Sequence, residues 1–205
     1  MFKKIAVPAI LVACAYSAQA DLIVNGSFEN TPALSNGSWG TFDSIQGWTA
    51  ESTGTEYNPI EVGQGGVYGV TGFDGNNIAE LNSYGRSRIS QTISGLSAGE
   101  ELNMSFLAGY RQDPNTSLHT NSIEVLWNGN AVQTFNPTSS VMSLESLHLT
   151  AVAGDNKLSF QSVGDESSYG GIIDNVKMQA VPEPAPFAAL GLGFGFLGLA
   201  RRRRA

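Results

Sequence analysis

The sequence predicts an all-β protein whose central part is a single antiparallel β-sandwich of the jelly-roll type. Residues 21–180 show almost no helical periodicity; short alternating runs of polar and apolar residues are separated by Gly, Ser, Thr and Asn. Short strands at a spacing of about ten residues are typical of antiparallel sandwiches and barrels. The segment contains no internal repeat and no linker, so we expect it to form one domain.

The predicted strands lie between turn residues. They cover residues 21–24, 60–62, 77–81, 88–93, 101–110, 122–127, 131–135, 145–152, 156–162 and 172–178. Asn128 and Gly129 separate two alternating runs, and this pair predicts a hairpin because both residue types tolerate positive φ. The sequence Leu-Ser-Ala-Gly-Glu at residues 96–100 predicts a second turn that leads into a strand.

Residues 1–20 have the three parts of a secretory signal peptide. Two lysines precede an apolar stretch (residues 5–16), and the small-residue sequence Ala-Gln-Ala ends at Ala20, where we expect cleavage. The sequence Leu-Val-Ala-Cys at residues 11–14 also resembles a lipoprotein lipobox, in which Cys14 would be lipidated. Plain cleavage is the preferred interpretation, because a second anchor would be redundant beside the one predicted at the C-terminus.

Composition excludes several classes of site. Cys14 is the only cysteine, so a cleaved chain would contain no disulfide, thiol nucleophile or cysteine-ligated zinc. Six of the 11 basic residues and one of the 18 acidic residues lie in the two end segments, which leaves 5 basic and 17 acidic residues in 21–180. A domain with a net charge near −12 repels nucleic acid, so we expect no nucleic-acid partner. Its acidity is compatible with cation binding.

Residues 181–205 combine three features in a fixed order. The sequence Val-Pro-Glu-Pro is followed by an uncharged apolar run at residues 187–200 and by an arginine cluster. The residues of this motif are Pro182, Glu183, Pro184, Arg201, Arg202, Arg203 and Arg204. As a helix, the apolar run would reach about 21 Å against about 30 Å of bilayer hydrocarbon, so it would span only by thinning the membrane or extending at its ends. The arginines would hold the C-terminus on the cytoplasmic side.

This arrangement resembles the PEP-CTERM sorting signal of Gram-negative bacteria that make exopolysaccharide. The resemblance implies processing by an exosortase-type membrane peptidase. It also implies an exported protein, anchored in the inner membrane by its C-terminal helix as a precursor and then carried to the cell surface or extracellular matrix. The alternative is an ordinary C-terminal membrane anchor with a proline-rich stalk. Under either interpretation, residues 181–205 are an address or anchor and not part of the fold.

Three parts of the domain resemble galactose-binding-like domains and related carbohydrate-binding modules. Residues 22–29, Leu-Ile-Val-Asn-Gly-Ser-Phe-Glu, resemble their first strand. Residues 74–82 and 89–93 resemble their middle strands, and residues 171–178 resemble their last strand. The resemblance extends over the whole domain and implies the sandwich fold. It says little about function, because such sandwiches carry many different roles.

The resemblance also implies a structural calcium ion. In the resembling domains, an acid of the first-strand motif and an aspartate of the last-strand motif ligate calcium. The matching residues here are Glu29 and Asp174, and the family pattern adds backbone carbonyls near Ser27. Calcium takes six to eight oxygen ligands and would stabilise only the folded chain. The alternative is that Glu29 ends a strand and Asp174 caps a turn through hydrogen bonds to the backbone.

Carbohydrate binding requires aromatic surfaces beside a few polar groups. The candidate aromatic residues are Trp39, Trp48, Tyr57, Tyr68, Tyr84, Tyr110, Trp127 and Tyr169. We expect Trp48 and Trp127 to pack in the core or at its rim. The candidate carbohydrate-binding residues lie in or next to polar loops and are Tyr84, Arg86, Tyr110 and Arg111.

Catalytic motifs are absent from the sequence. There is no nucleophile elbow and no His-Glu-x-x-His helix, and His119 and His148 fit strand or loop positions. A glycosidase-type pair of carboxylates stays open, because the separation of carboxylates is not visible in a sequence. We therefore expect a non-enzymatic exported protein that associates with the cell surface or with exopolysaccharide. The alternatives are a specific carbohydrate-binding module and, with less support, a polysaccharide hydrolase.

Overall fold

The described part of the chain folds into twelve β-strands and one short 3₁₀ helix. A computed structural model describes residues 20–34, 38–51, 53, 58–111 and 121–182. The elements are β1 (Trp39–Phe42), β2 (Ser44–Ile45), β3 (Trp48–Glu51), β4 (Ile60–Gln64), the 3₁₀ helix (Gly65–Tyr68), β5 (Asn77–Glu80), β6 (Arg88–Leu96), β7 (Glu101–Tyr110), β8 (Ser122–Trp127), β9 (Asn130–Phe135), β10 (Ser143–Thr150), β11 (Gly154–Val163) and β12 (Gly171–Ala180).

The strands form two antiparallel sheets of six strands each. The front sheet has the order β1-β4-β5-β12-β7-β10, and the back sheet has the order β2-β3-β6-β11-β8-β9. From β6 onward the chain crosses between the sheets repeatedly, with β7, β10 and β12 in front and β6, β8, β9 and β11 behind. The predicted all-β jelly-roll sandwich is therefore confirmed.

The core lies between the sheets and is built by strand alternation. Phe106 of β7 contacts Phe135 and Phe160 of the back sheet edge-on, with ring centroids 5.1 and 5.0 Å apart. Trp48 and Trp127 are 1% and 7% exposed, which confirms their predicted place in the core. Edge-to-face aromatic packing adds to the apolar area buried here, so the two sheets are held face to face by large side chains.

Both predicted turns are present. Asn128 and Gly129 have φ values of 53° and 80°, and Trp127 pairs with Asn130 across the turn. Two central residues with positive φ match the twist of the flanking strands, which explains the Asn-Gly sequence. In the second turn, Glu100 donates its backbone N–H to the carbonyl of Ser97.

The strand predictions near the N-terminus were wrong in two respects. Residues 21–24 do not form a strand, because the Asp21 carboxylate accepts the backbone N–H groups of Ile23 and Met178 where a strand ladder would need backbone partners. The Leu22 N–H still donates to the Met178 carbonyl, so the segment lies beside β12. The three short strands β1, β2 and β3 were not predicted. They hold only four, two and four residues.

A second apolar cluster covers part of the outer face of the front sheet. Tyr68, Val70 and Ile78 pack with Met142 and Ile172 there, separately from the main core. The covering residues come from the segment between β4 and β5. This cover buries one part of an outer face that would otherwise meet water, and it ends beside the polar residues described below.

The two ends of the chain fall largely outside the described residues. The residues outside the description include most of the predicted signal peptide with Cys14, the apolar run at 187–200, and Glu183, Pro184 and Arg201 to Arg204. Pro182 is described and is exposed.

No helix in the described part of the chain is long and apolar enough to cross a membrane.

Candidate functional site

A polar cluster occupies the outer face of the front sheet beside this second apolar cluster. Glu61 of β4 lies directly opposite Glu80 of β5 in the antiparallel register. Their neighbours Ile60 and Ala79 belong to the main core, so strand alternation turns both glutamates outward. Arg111 follows β7 and reaches the same face.

Arg111 forms ion pairs with both glutamates and is held between two aromatic rings. Its Nη1 forms an ion pair with Glu80 and lies 3.9 Å from Glu61 Oε1. Its guanidinium carbon lies 4.7 Å from the ring centroid of Tyr68 and 4.3 Å from that of Tyr169. Cation–π contacts on both sides hold the guanidinium in one position.

Each glutamate also accepts a further hydrogen bond. The Gly170 N–H donates to Glu80 Oε1 at 2.7 Å, and the Tyr68 hydroxyl donates to Glu61 Oε1 at 3.0 Å. The Tyr68 ring lies against Gly63, where a Cβ would sit 2.5 Å from the ring. Glycine at this position is therefore what allows the 3₁₀ helix to bring Tyr68 down onto the strand.

Burial changes the titration of this cluster. Desolvation raises the pKa of Glu61 and raises that of Glu80 well above the usual range, while Arg111 opposes both shifts. Burial and the charge of Glu61 raise the pKa of Tyr68, so its hydroxyl remains a hydrogen-bond donor at neutral pH. Because the two carboxyl groups lie opposite each other beside a single cation, they can share one proton while the remaining negative charge pairs with Arg111.

A pocket of about 340 Å³ opens above this cluster. Its lining residues are Trp39, Glu61, Val67, Tyr68, Ser83, Tyr84, Arg111 and Ser168. Trp39 and Tyr84 are 40% and 72% exposed, so their rings are available to a ligand. The Ser83 hydroxyl is buried and has no hydrogen-bond partner. Aromatic walls, a buried ion pair and an unpaired hydroxyl in a pocket of this size are typical of a small-ligand site.

The loop that carries Tyr84 is tied down at its far side. Arg86 donates from its side chain and its backbone to Glu166, at 2.6 and 3.1 Å. These hydrogen bonds lower the pKa of the largely exposed Glu166. The Asn82 amide donates to the Ser167 carbonyl at 2.7 Å. The loop before β6 and the loop before β12 are thus joined beside the pocket.

The structure brings two of the four predicted carbohydrate-binding residues into this pocket. Tyr84 and Arg111 line it, whereas Arg86 holds the neighbouring loop. Tyr110 is half-buried at the end of β7 and is not among the lining residues. Among the other candidates, Trp39 and Tyr68 line the pocket and Tyr169 packs on Arg111, while Tyr57 lies outside the described residues.

Sequence reasoning missed Glu61, Glu80 and Ser83. A signal for the two glutamates was present, because each interrupts an apolar strand sequence. A charged residue between two core positions must face outward, but the sequence does not show that this outward face is covered. Ser83 carried no signal that separates it from the many other serines.

The predicted calcium residues lie at the corner where the first segment meets β12. Asp174 is fully buried, and its carboxylate accepts the backbone N–H groups of Asp74 and Asn175, each at 2.6 Å. Glu29 Oε1 accepts the N–H groups of Asn76 and Asn77 at 2.6 and 2.7 Å. The two carboxylates thus hold the segment before β5 through backbone hydrogen bonds, a role that the alternative interpretation gave to Asp174 but not to Glu29.

The corner is rich in negative charge. Burial raises the pKa of Asp174 to about 7, and the charges of Asp74 and Glu29 act in the same direction. Among the described residues, no lysine or arginine forms an ion pair with these three acids. Their oxygens suit a hard cation in chemical type. However, no group of three or more His, Cys, Asp or Glu side chains in the described part of the chain is arranged to hold a metal ion.

His148 is exposed on β10, away from both clusters, and His119 lies outside the described residues.

Comparison with known protein families identifies the family to which the domain belongs. The model of the family described as "Protein of unknown function (DUF642)" matches residues 21–179. The chain belongs to this family. A multifunctional-autoprocessing repeats-in-toxin protein of Vibrio cholerae is 33% identical over 158 residues, and its counterpart in Vibrio vulnificus is 34% identical over 158 residues. These matches cover 76% of this DUF642 chain but only 3% of the length of either relative.

Solved structures resemble the DUF642 domain in fold. The Stig cyclase FisC of Fischerella sp. TAU aligns with a TM-score of 0.55 and 14% identity, over 80% of this chain and 99% of that one. Carbohydrate-binding modules align less closely. TmCBM61, solved with β-1,4-galactotriose, gives a TM-score of 0.48 with 12% identity, over 79% of this chain and 99% of that one. A CBM35 of Paenibacillus barcinonensis gives a TM-score of 0.42 with 19% identity, and the alignment covers 71% of this chain and 100% of that one.

The titration of Asp174 predicts how stability depends on pH. The folded pKa of about 7 lies above the ordinary value of 3.8, so between these values the folded state keeps a proton that the unfolded state has lost. The contribution of Asp174 to stability therefore falls as the pH rises through this window. Relative to Asp174→Asn, which cannot titrate, the wild type should lose roughly 3 °C or more in Tm between about pH 5 and pH 8.

Thermal unfolding in the presence of a chelator measures this difference. Asp155→Asn, which removes an exposed carboxylate on β11, is the matched control and should follow the wild-type curve. Parallel curves for wild type and Asp174→Asn would contradict the assignment of the raised pKa to Asp174.

Proposed function

We propose that the DUF642 domain of this protein is a non-enzymatic carbohydrate-binding domain and that the pocket on the outer face of the front sheet is its binding site. The observation that carries the proposal is the pairing of two exposed aromatic rings, Trp39 and Tyr84, with the polar floor of Arg111 and Glu61. Rings stack against the apolar faces of sugar rings, while carboxylates, guanidinium and hydroxyl groups satisfy sugar hydroxyls.

The way in which Arg111 holds the two acids supports binding over hydrolysis. Retaining glycosidases hold their two carboxyl groups about 5 Å apart, and inverting ones hold them still further apart, with open space between for the reacting groups. Here Arg111 Nη1 contacts both Glu61 and Glu80, so the two carboxylates are engaged by a cation instead of flanking a glycosidic bond or a water. Glu80 is also fully buried beneath the pocket and out of reach of a ligand.

Substitution of the two aromatic residues tests the proposal. Trp39→Ala and Tyr84→Ala should each weaken binding to a glycan identified on an array by roughly tenfold, since loss of a central contact of this kind costs more than 1 kcal/mol. Leu144→Ala, which removes an equally exposed apolar side chain from β10, should leave the affinity unchanged. Isothermal titration calorimetry gives the affinities, and equal losses for all three variants would reject the pocket as the site.

We further propose that the protein is exported and sorted by residues 181–205 to the cell surface or exopolysaccharide matrix, with an exosortase-type membrane peptidase as its processing partner. Support comes from the order of Pro-Glu-Pro, apolar run and arginine cluster behind a domain with a signal peptide in front. In this setting the carbohydrate-binding pocket would hold the processed protein on a polysaccharide.

Intact mass and cell fractionation test the export proposal. The native protein should have a mass that corresponds to residues 21 to about 181 and should leave the membrane fraction. Deletion of residues 182–205 should release or mislocalise the protein. A membrane-bound form that keeps residues 182–205 would make the segment a plain anchor.

A structural calcium ion is the third part of the proposal, with Glu29 and Asp174 as its carboxylate ligands. The support is chemical: three acids share one corner without a basic partner among the described residues, and a divalent cation would relieve their repulsion. The ion would tie the first segment to β12.

Removal and return of calcium test this part. After treatment with a chelator, about 1 mM calcium should raise the Tm of the wild type at neutral pH by roughly 5 °C or more, because the ion binds only the folded state. Glu29→Gln should abolish the increase, and Glu145→Gln on β10 should retain it. If calcium leaves the Tm of the wild type unchanged, the proposed calcium site is rejected.

A further inference from the structure

We propose that the pocket selects an uncharged sugar residue and discriminates against uronic acids, because Arg111 is already neutralised by Glu61 and Glu80. The inference rests on the proposed carbohydrate-binding function and defines its ligand class. Among the lining residues that the structure describes, Arg111 is the single cation, so the choice between neutral and anionic sugars depends on this one side chain.

Arg111 cannot turn toward an incoming carboxylate. Tyr68 and Tyr169 cover its two faces at 4.7 and 4.3 Å, and Nη1 is engaged by both glutamates. Movement toward a ligand would leave Glu80, which has no exposed surface, without its partner charge. A buried carboxylate that loses its partner is strongly destabilising, so the folded protein opposes this movement.

The charge balance of the floor also opposes an anion. With one proton shared between Glu61 and Glu80, the three groups sum to zero, and without that proton the floor is negative. Glu61 itself lines the pocket and would face the carboxylate of a uronate. The domain as a whole, with a net charge near −12, adds repulsion at longer range.

A second observation indicates that a hydrogen-bonding ligand belongs here. Ser83 lines the pocket and is 3% exposed, and its buried hydroxyl has no partner. A buried polar group without a partner is costly, so a ligand hydroxyl that reaches it after a small movement of the side chain would gain a hydrogen bond. Stacking rings and an unpaired hydroxyl beside a neutral floor together match a neutral hexose.

The test compares sugars that differ only in charge. Glucose, galactose and mannose, each with its own uronic acid, would be titrated into the full-length protein at neutral pH, together with uronate polysaccharides before and after reduction of their carboxyl groups. The preferred hexose should bind at least roughly tenfold more tightly than its uronic acid, since like charges a few ångströms apart at a protein surface cost this much.

Glu61→Gln is the variant that should change the selectivity between hexose and uronate. Removal of the nearest negative charge should shrink the ratio of hexose to uronate affinity by roughly tenfold, while Glu124→Gln on the back sheet makes the same change in net charge and should leave the ratio as it is. If Glu61→Gln fails to fold, the ratio of hexose to uronate affinity of the wild type still tests the proposal. A uronic acid that binds as tightly as its hexose would overturn the proposed selectivity but not the proposed carbohydrate binding. Absence of binding to every sugar and polysaccharide would overturn the proposed function and the selectivity with it.

Discussion

The buried pairing of Glu80 with Arg111 constrains the outer face of the front sheet. A carboxylate with no exposed surface is tolerated only where a counter-charge and hydrogen bonds compensate for lost water. Its partners come from distant parts of the chain, since Arg111 follows β7 and Gly170 precedes β12. The pairing therefore fixes the loop before β12 against β5 and β7. The same contacts that stabilise the buried Glu80 also form the floor of the pocket.

The same constraint divides the pocket into a rigid floor and an adaptable rim. Arg111 lies between two tyrosine rings, and Tyr68 rests on the bare backbone of Gly63, so these side chains have little freedom left to lose when a ligand binds. This rigidity favours binding, because the entropy lost when side chains become ordered opposes association. Tyr84 is different: at 72% exposure its ring has few contacts of its own, although the Arg86–Glu166 pair holds its loop.

Much of the fold could be predicted because strand alternation and turn chemistry are local. Asn128 and Gly129 needed only their own φ preferences to predict the hairpin, and β7 was predicted with its observed bounds. Failures occurred where short strands depend on distant partners. β1 and β3 have four residues each and are held by the distant strands β4 and β6, which no local pattern shows. β2 has only two residues and pairs with β3. The segment at 21–24 has strand-like residues, but the carboxylate of Asp21 replaces the ladder.

The site was predictable only in part, and the reason is topological. Tyr84 and Arg111 could be selected because polar loops around an aromatic or basic residue are visible in the sequence. Glu61 and Glu80 acquire their role from the β4–β5 register and from β12 lying between β5 and β7, which a single sequence does not reveal. Their outward direction follows from alternation, but burial requires a cover, which the glycine-rich sequence at residues 63–66 does not indicate. A charge that interrupts an apolar strand is therefore best treated as a candidate for a buried pair, to be matched with any arginine that follows another central strand.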